Sequence, residues 1–265
     1  MPAVTLGNAL TVTPVPAFQD NYLWTFHNQR HAVVVDPGDA EPVIEYLTRH
    51  GLTLAAILVT HHHPDHIGGL PKLIEQFGCA VYGPAGETIP ALTQRLAEGD
   101  VVTLAEFGLT FSVIDVPGHT AGHIAYYGQM NGGPVVFCGD TLFACGCGRL
   151  FEGTPAQMQA SLAKLMALPD DTQVYCTHEY TMSNIRFAQA VEPNNAALAA
   201  RATRDAATRS RNQPTLPSSV GLEKATNPFV RWDAPEVIAA AAARGASNDM
   251  VAVFAAVREW KNNFK

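Results

Sequence analysis

The residues of this chain that could do chemistry crowd into one short run, Thr60-His61-His62-His63-Pro64-Asp65-His66. Imidazole nitrogens and carboxylate oxygens are the side-chain atoms that most often hold catalytic first-row metals. His61 and His63 share a side if strand alternation persists past Thr60, and His62 then points away as a non-ligand. Pro64 turns the chain, so Asp65 and His66 can face a neighbouring point. Four donors in so short a run crowd a single ion, and two adjacent ions are the natural solution. Three more segments put a donor where an apolar run stops: Gly118-His119-Thr120-Ala121-Gly122-His123, Cys138-Gly139-Asp140-Thr141 and Thr177-His178-Glu179-Tyr180. Loops held by a rigid scaffold are where binding residues usually sit. His61, His63, Asp65, His66, His119, Asp140 and His178 then make seven donors. A closed structural site takes four ligands and has no free position, so seven shared by two ions, with room for water, point to catalysis. His123 and Asp36 read equally well as partners that orient a ligand or as ordinary loop residues.

The elements that must position these donors alternate with Gly, Pro and Asp punctuation. Residues 21–27, 31–36, 54–60, 80–82, 109–116, 124–127, 135–138 and 174–176 are β-branched or aromatic-rich and read as strands. Residues 39–50, closed by Gly51, follow a helix pattern. Thr154-Pro155 marks a helix start running toward Leu168. After about residue 178 strand-like runs vanish. Alanine-rich periodic segments follow at 184–190, 194–211, 234–244 and 248–261, with Pro214, Pro217, Gly221 and Pro228 expected to block helix in between.

The 265 residues are 47% apolar and 15% charged, which excludes a disordered chain and allows a full core. The net charge of −7 is uneven: residues 1–200 carry −11 and residues 201–265 carry +4. That acidity argues against a broad nucleic-acid surface. No apolar run reaches membrane-spanning length, and residues 1–15 lack the pattern of a secretion signal. Five cysteines without framework spacing suit a reduced, cytoplasmic protein. The pair Cys145 and Cys147 has no second pair at zinc-finger spacing, so it reads as free thiols.

The order His-x-His-x-Asp-His, then His119, Asp140 and His178, resembles the metallo-β-lactamase superfamily. Further segments narrow the resemblance to its glyoxalase II (hydroxyacylglutathione hydrolase) branch: Phe18–Tyr22, Asp36–Gly38, Gly139–Phe143, Gly146–Thr154, His178–Thr181, Asn227–Arg231 and Arg258–Lys261. The resemblance implies an α+β fold. A four-layer αββα sandwich would occupy residues 1–175, and a C-terminal helical substrate-binding domain residues 176–265. It gives His61, His63 and His119 to a first ion, and Asp65, His66 and His178 to a second. Asp140 bridges them, and Asp65 and Asp140 are the catalytic carboxylates. The ions are two divalent metals, zinc first, with iron or manganese as alternatives.

The activity implied is hydrolysis of S-D-lactoylglutathione to D-lactate and glutathione by a metal-bridging hydroxide, a step in methylglyoxal removal. Arg149, Arg258 and Lys261 occupy the positions that hold the anionic glutathione moiety. Phe151, His178 and Tyr180 complete the substrate contacts. Arg149 replaces a lysine and Phe151 a tyrosine of some family members, so donor geometry changes and one hydroxyl contact is lost. A monomer with no nucleic-acid or membrane partner is expected. Three other readings compete: a persulfide dioxygenase with one iron, a nucleic-acid-processing relative and a non-catalytic metal binder. The Cys-Gly-Arg-Leu-Phe run, the basic C-terminal segment and the acidic first 200 residues favour the hydrolase.

Overall fold

The computed structural model describes residues 10–264. Of the stretch expected to carry no secretion signal, residues 1–9 lie outside the described residues. The chain builds two six-stranded sheets. The first runs in sequence order from β1 (Thr11–Ala17) through β2 (Asn21–His27), β3 (His31–Val35), β4 (Thr53–Leu58) and β5 (Ala80–Pro84) to β6 (Gln94–Leu96). The second contains β7 (Val101–Leu104), β8 (Leu109–Asp115), β9 (Ile124–Met130) and β10 (Gly133–Gly139). Two short strands, β11 (Leu142–Phe143) and β12 (Gly146–Cys147), pair with each other alone. β13 (Gln173–Cys176) lies parallel to β10, and β14 (Ser218–Ser219) completes that edge.

Strand alternation divides the first sheet between two cores. Trp24, Phe26, Val33, Val35, Ala56 and Leu58 face the second sheet and pack with Phe111, Tyr126 and Phe137. Leu23, Val34, Ile57 and Val81 face outward, under Val43 and Leu47 of α1 (Ala40–His50) and Leu73 of α3 (Leu70–Phe77). On the far side of the second sheet, Met158, Leu162 and Leu165 of α4 (Pro155–Met166) join the larger core. The layers are therefore helix, sheet, sheet and helix, as the resemblance implies. α1 has the expected Asp39 N-cap and a left-handed Gly51 C-cap, and α4 starts with a Thr154–Gln157 capping box.

The C-terminal segment is helical: α5 (Thr181–Val191), α6 (Ala196–Arg209), α7 (Val220–Thr226), α8 (Pro235–Ala242) and α9 (Met250–Asn262). α7 corrects the expectation that residues 213–228 block helix. Pro214, Pro217 and Pro228 all fall outside it, and Ser219 caps its start. Gly221 alone lies inside, at a cost of about 1 kcal/mol relative to alanine. β1 escapes a reading from sequence because Pro14 and Pro16 interrupt it. It is an edge strand, where a missing N–H is tolerated. Among the described residues no helix is long and apolar enough to cross a membrane.

Candidate metal and substrate site

The seven donors converge where strands of both sheets end. His61 and His63 follow β4, Asp65 and His66 lie on the single turn α2 (Pro64–Ile67), and His119 follows β8. Asp140 follows β10 directly and His178 follows β13. Glycine makes the convergence possible. A Cβ on Gly38 would lie 1.8 Å from the Asp65 carbonyl oxygen, so the turn after β3 packs directly against the ligand-bearing backbone.

Three clusters of donor atoms result, each within 4.8 Å of one another: His61, His63 and His119; His61, His66 and Asp140; and Asp65, His66 and His178. His63 Nδ1 is 3.1 Å from His61 Nε2 and 3.0 Å from His119 Nε2. Asp140 faces both sides. Its oxygens lie 3.4 Å from His119 Nε2, 3.5 Å from His66 Nε2 and 3.3 Å from His178 Nε2.

Outer partners decide which ring nitrogen faces the centre. The Thr60 hydroxyl donates to Asp36 Oδ2 at 2.7 Å, so its oxygen is left to accept the His61 Nδ1 proton at 3.1 Å. His119 Nδ1 donates to the Arg149 carbonyl at 2.8 Å, and His178 Nδ1 donates to Asp20 Oδ1 at 2.8 Å. Each of these rings therefore turns its Nε2 lone pair inward. The buried His123 accepts the Asp140 backbone N–H at 3.1 Å and stacks on His61, with centroids 4.6 Å apart. It orients the central carboxylate. Asp36 is 1% exposed, in the left-handed backbone region at φ 51°, and accepts the Thr60 N–H at 2.7 Å. Both residues that could have been plain loop positions thus support the ligands.

The electrostatics of this cluster call for cations. Burial, with the neighbouring His66 and His123, pushes His61 well below the usual imidazole range. Burial also lowers His63 and His119. These three are neutral, the form that ligates metal. Burial opposes the charge on Asp140, but His178 and His66 outweigh it and hold the carboxyl well below its ordinary value. Burial would lower His66, yet Asp140 and Asp36 overcome it and raise the ring well above its usual range. His66 Nε2 and Asp140 Oδ1 are nevertheless both buried without a hydrogen-bond partner. His66 Nδ1 is 3.1 Å from Asp36 Oδ2 but out of line with it. Converging lone pairs, an ionised buried carboxylate and orphaned polar atoms are what a metal-binding donor set presents, so the residues fit two divalent ions.

The cluster forms the floor of a cleft of about 630 Å³. Every residue expected to touch substrate lines it: Arg149, Phe151, His178, Tyr180, Arg258 and Lys261. Tyr180 stacks on His178 with a 1° interplanar angle at 4.8 Å, and Phe151 sits edge-on to His63 and His119. Arg258 is buried, with one guanidinium nitrogen donating to the Cys147 carbonyl at 2.9 Å. Lys261 Nζ donates to the Ser183 carbonyl at 3.2 Å. Burial, then Arg258 and Arg186, pushes the Lys261 ammonium down to about 8.

Phe143, Ser183 and Asn184, which the sequence does not single out, also line the cleft, as does Cys147. Nor does it single out Asp20 or Asn21, whose amide donates to Asp65 Oδ2 at 3.2 Å. The Phe18–Tyr22 segment was a visible signal without an assigned role. Cys145 and Cys147 are free thiols, as expected.

A family model described as hydroxyacylglutathione hydrolase C-terminus matches residues 179–264, and one for the metallo-beta-lactamase superfamily matches residues 18–178. The hydroxyacylglutathione hydrolase of Nitrosomonas eutropha is 54% identical over 258 residues, covering 97% of this chain and 100% of that protein. That of Cupriavidus taiwanensis is 57% identical over 265 residues, again covering 97% and 100%. Among solved structures, ETHE1 from Myxococcus xanthus covers 97% of this chain and 91% of its own, with TM-score 0.62 and 24% identity, a likeness of fold. TTHA1623, solved in a di-iron-bound form, covers 75% of this chain and 89% of its own at 30% identity and TM-score 0.51.

Proposed function

Because this chain belongs to the hydroxyacylglutathione hydrolase family of the metallo-β-lactamase superfamily, we propose that it hydrolyses S-D-lactoylglutathione to D-lactate and glutathione. One observation carries the reading: Asp140 lies within 3.5 Å of His119 on one side and of His66 and His178 on the other, in a cleft whose wall carries Arg149, Arg258 and Lys261. His61, His63 and His119 would hold a first divalent ion, and Asp65, His66 and His178 a second, with Asp140 between them. Zinc suits this nitrogen-rich donor set. The di-iron form of TTHA1623 supports iron as an alternative, and manganese is a third. Two such ions supply Lewis acidity, lowering the pKa of water toward neutrality and polarising a carbonyl.

The chain's own residues do the rest. Asp140 and Asp65 are the catalytic carboxylates. Arg149, Arg258 and Lys261 bind the anionic glutathione moiety and so set where the thioester lies. Tyr180, stacked on His178, and Phe151, against His63 and His119, wall the reacting end. Glutathione departs as a thiolate, which is a stable anion, so the site needs no strong general acid. We divide the chain into residues 1–175 for catalysis and 176–265 for substrate binding, with His178 reaching the metal centre from the second part. Phe151 and Arg149 then reach the substrate from the first part, and Arg258 and Lys261 from the second. We place the protein in the cytoplasm as a monomer.

The experiment is elemental analysis of freshly purified protein paired with a thiol-release assay on S-D-lactoylglutathione. Two metals per chain and thiol release are expected. A two-metal protein that releases no thiol would overturn the reading.

A further inference from the structure

The middle histidine of the His61-His62-His63 run has work of its own. Its ring turns away from the donor cluster and lies between two carboxylates. His62 Nδ1 is 3.0 Å from Glu87 Oε2, and His62 Nε2 is 3.3 Å from Glu152 Oε1. The other oxygen of each carboxylate goes to one short turn. Glu87 Oε1 accepts the Thr120 hydroxyl and the Gly122 N–H, the latter at 3.2 Å. Glu152 Oε2 accepts the Ala121 N–H at 2.8 Å. Three consecutive residues after His119 are therefore held by two carboxylates that both turn their free oxygen to His62. The Glu87 side chain is 3% exposed, and its Oε2, buried without a hydrogen-bond partner, has the His62 ring packed beside it. The packing is close: a Cβ on Gly122 would meet Glu87 Cγ at 2.6 Å.

None of His62, Glu87 and Glu152 lines the cleft, so they act on the centre through the turn and not through substrate. The opposite side of His119 is tied to residues 149–151. Its Nδ1 donates to the Arg149 carbonyl, and its own carbonyl accepts the Phe151 N–H at 3.3 Å. Glu152 continues that same loop. We propose that His62 is a positioning residue. With Glu87 and Glu152 it clasps the turn that carries His119, and so fixes the gap between His119 and the His61–His63 pair. The inference rests on the reading of His61, His63 and His119 as the ligands of the first ion. Without His62, the ring that fills the space between the two carboxylates is gone, and neither is held in place from that side. The turn at 120–122 then loosens while the second ion's ligands, on α2 and after β13, keep their own supports.

The test uses the full chain, stripped of metal and titrated with zinc against a chromophoric chelator, with amide hydrogen exchange followed in parallel. His62→Ala should still bind two ions, one of them about 10–100-fold more weakly and the other unchanged. The Ala121 and Gly122 amides should lose protection. Glu152→Gln, at a half-exposed carboxylate, should shift both readouts in the same direction by less, and serves if His62→Ala fails to fold. Unchanged affinities and protection in these variants would overturn the proposal. So would the outright absence of one ion at saturating zinc, which would make His62 a ligand. Equal weakening of both ions together with a lower Tm would make it a general brace instead. His119→Ala is the control for the underlying reading: if it leaves both ions in place in an otherwise two-metal protein, that reading fails, whatever His62→Ala does.

Discussion

Asp140 is the residue on which the centre turns. It faces His66, His119 and His178 and is held by the His123 ring. Asp140→Ala removes the carboxylate that faces His119 on one side and His66 and His178 on the other. It should lose metal from both sides and lower kcat by at least about 10²-fold, as elemental analysis and thiol release will read. Full activity would remove Asp140 from the centre. His123→Leu keeps bulk but leaves the Asp140 N–H buried without an acceptor, a cost of about 1–3 kcal/mol. Lys261 gives the pH dependence. Burial and two neighbouring arginines depress its pKa to about 8, so the cation that attracts an anionic substrate is present below that pH and lost above it. The kcat/KM of the wild type should therefore fall as pH rises through about 8, and Lys261→Met should flatten that limb while raising KM. For stability the sign is opposite. Between this value and the ordinary lysine value the unfolded chain binds the extra proton, so this group's contribution improves as pH rises.

The loop between β11 and α4 is shaped from below by the helical segment. Arg201, on α6, lies 2.8 Å from Glu223 on α7, and both side chains are almost fully buried. Glu223 Oε2 accepts the Cys145 N–H at 2.8 Å and the Asn227 amide at 2.9 Å. The same Asn227 amide donates to the Phe143 and Gly146 carbonyls. One buried ion pair therefore holds the backbone from which Phe143, Cys147 and Arg149 enter the cleft. Glu223→Ala leaves Arg201 buried without its strongest partner and should cost about 3–5 kcal/mol in chemical denaturation, with KM rising in whatever folds. Thr154→Ala makes the contrasting case. It breaks only the capping box of α4, away from the cleft, and should cost about 1 kcal/mol with KM unchanged.

At the scale of the molecule, the donors come from both sheets and from the turn α2. Ions bound among them would add cross-links between layers that already meet through apolar packing and a few hydrogen bonds, such as Tyr22 N–H to the Thr177 carbonyl. Stripping the metal with a chelator should lower Tm, and restoring it at about 100 times its Kd should return about 2.7 kcal/mol. An unchanged Tm after complete metal loss would contradict that coupling. The charge distribution acts at this scale too. The chain is −7 overall, yet the cleft gathers Arg149, Arg258 and Lys261. Attraction of an anionic substrate is therefore local, and KM should rise with ionic strength for the wild type and less steeply for Arg258→Ala. The +4 of residues 201–265 is spent in several ways. Arg201 is consumed by Glu223 and Asp205, Arg231 by Glu192, and Arg244 stacks over Trp260.

The sequence by itself determined the seven donors, the strands that end in them, the α1 and α4 caps and the family. Donor type, turn chemistry and apolar periodicity are local properties, written within a few residues of where they act. Only the tertiary structure decided what Asp20, Asp36, Glu87, His123, Glu152 and Glu223 do. Each is an ordinary polar residue whose partner lies far along the chain: Asp20 meets His178, Glu87 meets Thr120, and Glu223 meets Cys145. β1 and α7 were hidden for a related reason. An edge position excuses the prolines of one, and a well-placed Ser219 cap outweighs the glycine of the other. A hydrogen bond between distant residues depends on how sheets and helices stack, and stacking is set by the whole core, not by any local run of sequence.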